Sequence, residues 1–211
     1  MQKIYFLKLN RLSWTESDES KLKYLSPERA ASVKRYKLDI DKLLSLYAAL
    51  TTRKILCDAL NADNSALKFE AVRNHKPKLI SPESRIDFNF AHTRNAILIG
   101  ISDECNIGVD IERLDKRAPL NVSEIVFHPA EISYINSSDS DKQLRFFECW
   151  TRKEAYTKML GLGLVADLTS INTLDGDIAA TLITQVTDKY IWSVSSNASL
   201  DGIELEVMKG M

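Results

Sequence analysis

The sequence contains only three cysteines among its 211 residues, and no two of them form a CxxC pair. An odd number of widely spaced cysteines does not suggest a disulfide framework, and the paired spacing of a structural zinc site is missing. Cys57, Cys105 and Cys149 are therefore predicted to be small buried side chains in a reducing compartment. Histidine is equally sparse, and neither His75 nor His128 has a partner pattern for a transition metal or a nucleophilic triad, so both are assigned to turns.

Long apolar runs and dense blocks of charge are also missing. No stretch approaches the roughly 18 unbroken apolar residues of a membrane span, and residues 1–30 carry too many charges for a signal peptide. The 28 basic and 29 acidic residues nearly balance, which argues against a general nucleic-acid binder. We expect a cytoplasmic protein of one or two domains that binds neither nucleic acid nor membrane.

The first informative string is IGVDIE at 107–112, in which apolar residues alternate with others. This period-2 pattern is typical of a half-buried strand whose successive side chains point to opposite faces. Asp110 and Glu112 are therefore predicted to share one face. Gly108 lies on that face too, and its missing side chain would let a bulky ligand approach the backbone.

The second string is WTRKEAYTK at 150–158, in which Trp150, Glu154 and Lys158 recur at steps of four residues. Such spacing places the three side chains in a row along one side of a helix. A large aromatic residue seldom belongs on a fully wet face, so we expect this row to be half-buried.

Asp110, Glu112 and Glu154 together form the ligand set that a hard divalent cation prefers. Mg²⁺ takes oxygen ligands and commonly bridges a few carboxylates to substrate phosphates. Crowded carboxylates raise one another's pKa unless a cation lies among them. The simpler alternative is that Glu154 and Lys158 form an ordinary surface pair and that the Asp-x-Glu pattern marks a solvated face.

These strings resemble the motifs of a known family. GVDIE at 108–112 and WTRKEAYTK at 150–158 are similar to the two signature motifs of 4′-phosphopantetheinyl transferases of the longer, surfactin-synthetase-activating (Sfp-like) class. FNFAHT at 88–93 resembles the family's Phe-Asn-Ile-Ser-His-Ser segment, HKP at 75–77 its Gly-Lys-Pro turn, and MQKIYFLKL at 1–9 its opening strand. The resemblance spans essentially the whole chain and keeps the motif order.

The resemblance implies transfer of the 4′-phosphopantetheine arm of coenzyme A to a serine of an apo acyl or peptidyl carrier protein, with release of adenosine 3′,5′-bisphosphate. This is holo-[acyl-carrier-protein] synthase activity, with coenzyme A as co-substrate and Mg²⁺, or possible Mn²⁺, as cofactor. It implies that the metal ligands are Asp110, Glu112 and Glu154, that Lys158 contacts the phosphate under attack, and that the nucleotide end of coenzyme A meets His92, Lys76 and Pro77.

Several positions depart from the family pattern. Ala91 replaces a serine that precedes the histidine, so its phosphate contact would move to Thr93. The arginine that reads the 3′-phosphate falls on Leu44, and Lys42 is the predicted substitute. Three other basic residues stay as unranked alternatives: Arg29, Lys34 and Arg35. For the general base that takes the serine proton, Glu154 and Glu131 both stay open.

We predict an α+β fold in which mostly antiparallel sheets pack against long helices. IDKLLSLYAALTTRKIL at 40–56 can be laid over SDKQLRFFECWTRKEAY at 140–156, which suggests an internal duplication. The family resemblance implies two pseudo-symmetric α/β-type lobes in a monomer, 1–104 and 105–211, with the ligand cleft between them. The predicted strands are 3–9, 67–72, 87–91, 96–102, 106–112, 170–175, 178–184, 190–196 and 203–207, and the predicted helices are 27–36, 40–60, 121–126, 129–136 and 141–160.

Two rival functions stay open at this point. Acidic clusters with a lysine also serve metal-dependent phosphodiesterases and nucleases. The protein could also be a non-catalytic module that binds coenzyme A or a carrier protein.

Overall fold

The computed structural model describes residues 1–70, 76–162 and 167–208. The fold is α+β, as predicted, and its sheets pair mainly in antiparallel fashion. Within the described residues, the strands are β1 (Gln2–Lys8), β2 (Lys68–Glu70), β3 (Lys78–Ser81), β4 (Asp87–Thr93), β5 (Ala96–Ser102), β6 (Ile107–Arg113), β7 (Leu182–Thr187), β8 (Tyr190–Ser196) and β9 (Leu205–Met208), and the α-helices are α1 (Glu16–Lys21), α2 (Pro27–Lys34), α3 (Asp39–Leu60), α4 (Ser123–Val126), α5 (Pro129–Asn136), α6 (Lys142–Leu160) and α7 (Gly176–Ala179).

Two sheets and two long helices form four successive layers. The first sheet has the order β4-β5-β1-β9 and the second β6-β8-β7, while β2 and β3 form a separate pair. One face of the first sheet packs on α3, and its other face packs on the second sheet, where Phe6 and Leu98 meet Val109 and Trp192. Helix α6 covers the remaining face of the second sheet. Strands β5 and β8 are buried along their whole length because both of their faces are covered.

Local sequence signals explain the helix ends. Ser26 caps α2 and His128 caps α5, each with a proline at the first helical position, where the missing N–H costs nothing. His128, predicted to lie in a turn, is instead the N-cap of α5. Gly161 ends α6 in the left-handed conformation, with φ of 71°. His75 lies outside the described residues.

The two halves of the chain repeat one structural feature 100 residues apart. Arg53 of α3 donates to the carbonyl oxygens of Asn64 and Leu67, and Lys153 of α6 donates to those of Leu168 and Ile171. Each long helix thus holds the segment that follows it through one cation, half-buried in the case of Arg53 and buried in the case of Lys153. This repetition is consistent with the predicted duplication, although β9 pairs with β1 across the predicted 104/105 boundary, and the division into two lobes stays a prediction.

Some predicted elements were wrong. Segment 170–175 is not a strand, because a 3-10 turn at Leu168–Ser170 leads into further turns, and β7 begins four residues later than predicted, after α7. Strand β3 and helix α1 were missed. Of the predicted strand 67–72, residues 71 and 72 lie outside the described residues. None of the described helices is both long enough and apolar enough to cross a bilayer.

Candidate active site

The site is built where β6 crosses α6, and Gly108 makes that crossing possible. A Cβ atom at Gly108 would lie 2.0 Å from the carbonyl oxygen of Ala155 and 2.4 Å from the amide nitrogen of Met159. The predicted role of Gly108, close approach of a ligand, was wrong, because the space is filled by the backbone of α6. The close contact brings Asp110, on the same face of β6, against the row formed by Glu154 and Lys158.

Asp110 and Lys158 form the centre of the cluster. The Lys158 ammonium donates to Asp110 Oδ1 at 2.6 Å and to the Val109 carbonyl oxygen at 3.3 Å, and it lies 3.9 Å from Glu154 Oε2. Asp110 is buried, and burial raises its pKa to about 7, an effect that Lys158 opposes and that Glu154 and Glu112 increase. The row on α6 is half-buried, as predicted.

Glu112 extends the cluster toward β4 and toward solvent. Its Oε2 accepts hydrogen bonds from Lys116 Nζ at 2.6 Å and from Thr93 Oγ1 at 3.1 Å. Thr93 was predicted to contact phosphate, but the structure places its hydroxyl beside a carboxylate. Lys116 Nζ also lies 5.4 Å from the centre of the Phe147 ring, a favourable cation–π distance.

Two features of these residues suit a divalent cation. Asp110 Oδ2 is buried and has no hydrogen-bond partner among the described residues, an arrangement that costs free energy unless a positive group completes it. The donor set of three carboxylates also has the oxygen chemistry of a Mg²⁺ site. Among the described residues, no three acidic, histidine or cysteine side chains lie close enough together to bind one ion. Glu112 accepts a hydrogen bond from Lys116 instead, and Asp110 Oδ1 accepts one from Lys158. The three carboxylates thus have the donor chemistry that a cation requires, and their joint role as its ligands stays a prediction.

Strand β4 lies beside β6, and side chains rather than a backbone ladder join the two strands. Asp87 Oδ2 accepts from the Ile107 amide and Asn89 Oδ1 from the Val109 amide, at 2.8 and 2.9 Å. Lys76 donates to Asp87 and to the Ile107 carbonyl oxygen. Its side chain is about a tenth exposed, and these two bonds leave one of the three ammonium N–H groups free, so contact with the nucleotide end of coenzyme A stays a prediction.

His92 stands on β4 with part of its ring open to solvent. Desolvation by the surrounding protein, together with the positive charges of Lys158 and Arg29, lowers its pKa. At neutral pH the ring is therefore mainly neutral and can donate one N–H. The charge of Lys158, in the carboxylate cluster, and the charge of Arg29, in the wall of a pocket on the other side of β4, both act on His92. His92 therefore lies between the cluster and this pocket.

This pocket, which we call the α2/α3 pocket, has a volume of about 600 Å³. Two arginines lie in its wall with partners that are not carboxylates: Arg29 donates to the carbonyl and hydroxyl of Ser45, and Arg53 to backbone carbonyls. Burial lowers the pKa of both guanidinium groups. The lining consists of Leu25, Ser26, Glu28, Arg29, Ser32, Ala49, Thr52, Arg53, Phe69, Pro77, Phe88 and Phe90. Pro77 thus lies in the pocket, and Arg29, a spare in the sequence analysis, becomes its best placed cation.

The structure does not bring Glu131 or Lys42 to either site. Glu131 is completely buried, where it accepts from the His128 amide and from Thr173 and pairs with Lys153 Nζ at 2.7 Å. With both oxygens occupied it cannot take a proton from an incoming serine, so the predicted role as general base conflicts with its position. Lys42 lies 3.5 Å from Asp39 and does not line the pocket.

Comparison with known proteins decides the family. Residues 106–206 match the model of the 4'-phosphopantetheinyl transferase superfamily. An L-aminoadipate-semialdehyde dehydrogenase-phosphopantetheinyl transferase of Schizosaccharomyces pombe is 30% identical over 183 residues, which cover 77% of this chain and 70% of the relative. The chain belongs to the 4′-phosphopantetheinyl transferase superfamily.

Other members of the superfamily align over similar lengths. The 4'-phosphopantetheinyl transferase Sfp of Bacillus subtilis is 26% identical over 185 residues, 85% of this chain and 81% of the relative. A 4'-phosphopantetheinyl transferase of Aneurinibacillus migulanus is 31% identical over 147 residues, 69% of this chain. The alignment spans only 60% of that relative's length. The region matched by the superfamily model contains β6 and α6, and therefore the carboxylate cluster.

Proposed function

We propose that this protein transfers the 4′-phosphopantetheine group of coenzyme A to a serine hydroxyl of an apo acyl or peptidyl carrier protein, in a reaction that depends on Mg²⁺ or Mn²⁺ and releases adenosine 3′,5′-bisphosphate. Membership of the superfamily supports the reaction class. The observation that carries the proposal is the buried, unpartnered oxygen of Asp110 at the crossing of β6 and α6, beside Glu154 and Lys158.

Asp110, Glu112 and Glu154 are the residues that would hold the cation. A bound Mg²⁺ supplies positive charge that neutralises the phosphoryl oxygens and the leaving group during transfer. The raised pKa of Asp110 favours this assignment, because a carboxylate whose ionised form is costly in the free protein gains most from a cation.

Lys158 and Glu154 are assigned to the transfer itself. The ammonium of Lys158 neutralises negative charge on the oxygens of the phosphoryl group under attack, a contact typically worth several kcal/mol in the transition state. Glu154 is about a quarter exposed and is our choice for the group that accepts the serine proton. The serine oxygen then bonds to the phosphorus of the pantetheine arm, and the bond from that phosphorus to the oxygen of the adenosine phosphate breaks.

The nucleotide end of coenzyme A is assigned to the α2/α3 pocket. Arg29 offers a cation to a phosphate, and its guanidinium lies 6.0 Å from the centre of the Phe90 ring. Phe69 and Phe88 meet edge to face at 5.6 Å in the same wall and provide an apolar surface for a planar base. His92 follows Phe90 by two residues on β4, so it would meet the phosphates that connect the pocket to the carboxylate cluster.

The proposal is tested by incubating the purified protein with coenzyme A, Mg²⁺ and several apo carrier proteins, fatty-acid and secondary-metabolic, and measuring the intact mass of each carrier. We expect a gain of one phosphopantetheine group, abolished by a chelator and restored by Mg²⁺. Glu154→Gln should remove most of the activity. Glu148→Gln, six residues earlier on α6 and paired with Arg152 and Tyr134, is the matched control and should stay active.

Two results would contradict the proposal. Binding of coenzyme A without transfer to any carrier would favour a non-catalytic binding module. Mg²⁺-dependent cleavage of DNA or RNA by the purified protein would favour the phosphodiesterase alternative.

A further inference from the structure

Strand β6 is an edge strand of the second sheet, and its outer edge lies against β4. Within the described residues, the sheet order is β6-β8-β7, so β8 pairs with β6 along one edge only. The outer edge of such a strand leaves backbone N–H and C=O groups without strand partners. Close to the carboxylate cluster a side chain of β4 takes over this role: Asn89 Oδ1 accepts a hydrogen bond from the Val109 amide at 2.9 Å. One side chain of the first sheet thus holds the edge of the second.

The backbone at Val109 is held from two sides. Its N–H donates to Asn89 of β4, and its carbonyl oxygen accepts from Lys158 of α6 at 3.3 Å. Asp110 is the next residue along β6, so the position of its carboxylate depends on where these two bonds hold the strand. Asn89 is only 6% exposed, and a buried amide that loses its acceptor is costly. The bond to Asn89 therefore fixes β6 from the side opposite to α6.

The residue type at position 89 suits this task, because the asparagine oxygen accepts a hydrogen bond without carrying a net charge. Asp87, the previous residue on the same face of β4, accepts from the Ile107 amide in the same way, but its negative charge is paired with Lys76. A further negative charge next to the carboxylate cluster would add to the repulsion among its members. Asn89 places β6 without adding to that repulsion.

We infer that Asn89 is a positioning residue, which sets the place of Asp110 in the cation site through its hydrogen bond with the Val109 amide. This inference rests on the proposed function. It assigns Asn89 no contact of its own with the cation or with coenzyme A. Removal of a group that supports a metal ligand typically lowers metal affinity or activity by about 10- to 100-fold.

The test measures Mn²⁺ binding by electron paramagnetic resonance, with coenzyme A present and no carrier protein, together with the kcat of transfer. Asn89→Leu nearly keeps the shape of the side chain but leaves the Val109 amide without an acceptor. We expect about 10- to 100-fold weaker Mn²⁺ binding and a kcat lowered by a similar factor. Affinity for adenosine 3′,5′-bisphosphate should stay within about twofold of the parent, because Phe88 and Phe90 line the α2/α3 pocket from the other face of β4.

Two further variants separate this hydrogen bond from a general loss of stability. Asn89→Asp keeps the accepting oxygen and adds a negative charge, so it should bind Mn²⁺ at least as tightly as the parent, although the buried charge lowers its Tm. Asn95→Leu is the matched control, because Asn95 also joins the two sheets, through bonds to the Leu9 carbonyl oxygen and the Tyr190 hydroxyl. It should lower the Tm and keep the parental affinity for Mn²⁺.

Parental Mn²⁺ affinity and kcat in Asn89→Leu would overturn the inference while leaving the proposed function intact, provided that the parent transfers phosphopantetheine. An equal loss of Mn²⁺ affinity in Asn89→Asp or in Asn95→Leu would also overturn it, since the hydrogen bond would not be the cause. An equal loss of adenosine 3′,5′-bisphosphate affinity in Asn89→Leu would show that the whole of β4 had moved, with the same consequence. Failure of the parent to bind Mn²⁺ would overturn both the inference and the proposed function. If Asn89→Leu does not fold, Asn89→Ala, which also lacks the acceptor, is measured in its place.

Discussion

Replacement of Gly108 by alanine is the substitution that most directly perturbs the crossing of β6 and α6. The added methyl group would lie 2.0 Å from the Ala155 carbonyl oxygen and 2.4 Å from the Met159 amide nitrogen. Both obstacles are backbone atoms of a regular helix, so no side-chain rotation can relieve the clash. The strand and the helix must move apart.

The required displacement can be estimated from the same distances. Ordinary van der Waals contact begins at 3.4 Å, so the separation must increase by about 1 Å or more. Overpacking of this kind costs about 1–3 kcal/mol, or about 2–12 °C in Tm for a chain of this size. The rate of transfer should fall by a larger factor than the stability change alone suggests, because a misplacement of about 1 Å between reacting groups can lower the rate about a hundredfold. Asp110 moves with β6, whereas Glu154 and Lys158 move with α6.

The assay is the rate of phosphopantetheine transfer at saturating coenzyme A, measured together with thermal unfolding. We expect Gly108→Ala to lower kcat about a hundredfold, while adenosine 3′,5′-bisphosphate still raises the Tm, since the α2/α3 pocket lies elsewhere. Gly176→Ala is the matched control, because a Cβ atom at Gly176 meets nothing within 4 Å. A Gly108→Ala protein with the parental kcat would refute the reasoning that this contact aligns the carboxylates.

Three further experiments test the energetics of buried charges. Asp110→Asn should abolish transfer. At pH 8, however, the metal-free variant should have a Tm no lower than that of the parent, because the raised pKa of Asp110 means that its ionised carboxylate lowers the stability of the fold at that pH. A much lower Tm would contradict this expectation. Lys153→Met leaves Glu131 buried without its partner and should lower the free energy of unfolding by about 3–5 kcal/mol. Adding Glu131→Gln should recover part of this loss, and a double-mutant cycle in urea unfolding will measure the recovery. Burial alone would raise the pKa of Asp18, but hydrogen bonds from Arg11, Thr15 and Tyr47 lower it overall, so the carboxylate stabilises the fold above pH 4 and loses that effect as the pH falls. Asp18→Asn should therefore cost about 2–4 kcal/mol at pH 7 and progressively less below pH 4, and a cost that does not change with pH would exclude this origin.

The sequence predicted those elements whose periodicity is local. Helix α5 has the predicted bounds, 129–136, because a capping residue and a proline mark its start. Helix α1 was missed, since its six residues carry no apolar stripe and it is held by the capping box of Thr15 and by Asp18. Segment 170–175 was predicted to be a strand, but the Ile171 carbonyl accepts a hydrogen bond from Lys153 and Thr173 donates to Glu131.

The same contrast holds for the candidate site: features of a single element were predicted, and features that depend on packing between elements were not. Period and spacing placed Asp110 and Glu112 on one face of a strand, and Glu154 and Lys158 in one row of a helix. That the strand and the helix meet followed from the chemistry of a metal site and from the family resemblance. Period and spacing could not show that Lys76 is neutralised by Asp87, or that Glu131 faces Lys153, since those pairings depend on how separate elements pack. The α2/α3 pocket was equally hidden, because its wall combines residues from α2, α3, β2 and β4.

The central claim is that carboxylates from β6 and α6 bind one cation beside the diphosphate of coenzyme A. The most direct measurement is a crystal structure of the protein soaked with Mn²⁺ and coenzyme A, with the metal located by its anomalous scattering. We expect a single strong peak within ligand distance of Asp110, Glu112 and Glu154 and of a diphosphate oxygen, with the adenosine in the α2/α3 pocket. A peak elsewhere, or coenzyme A bound without metal at these carboxylates, would contradict the claim.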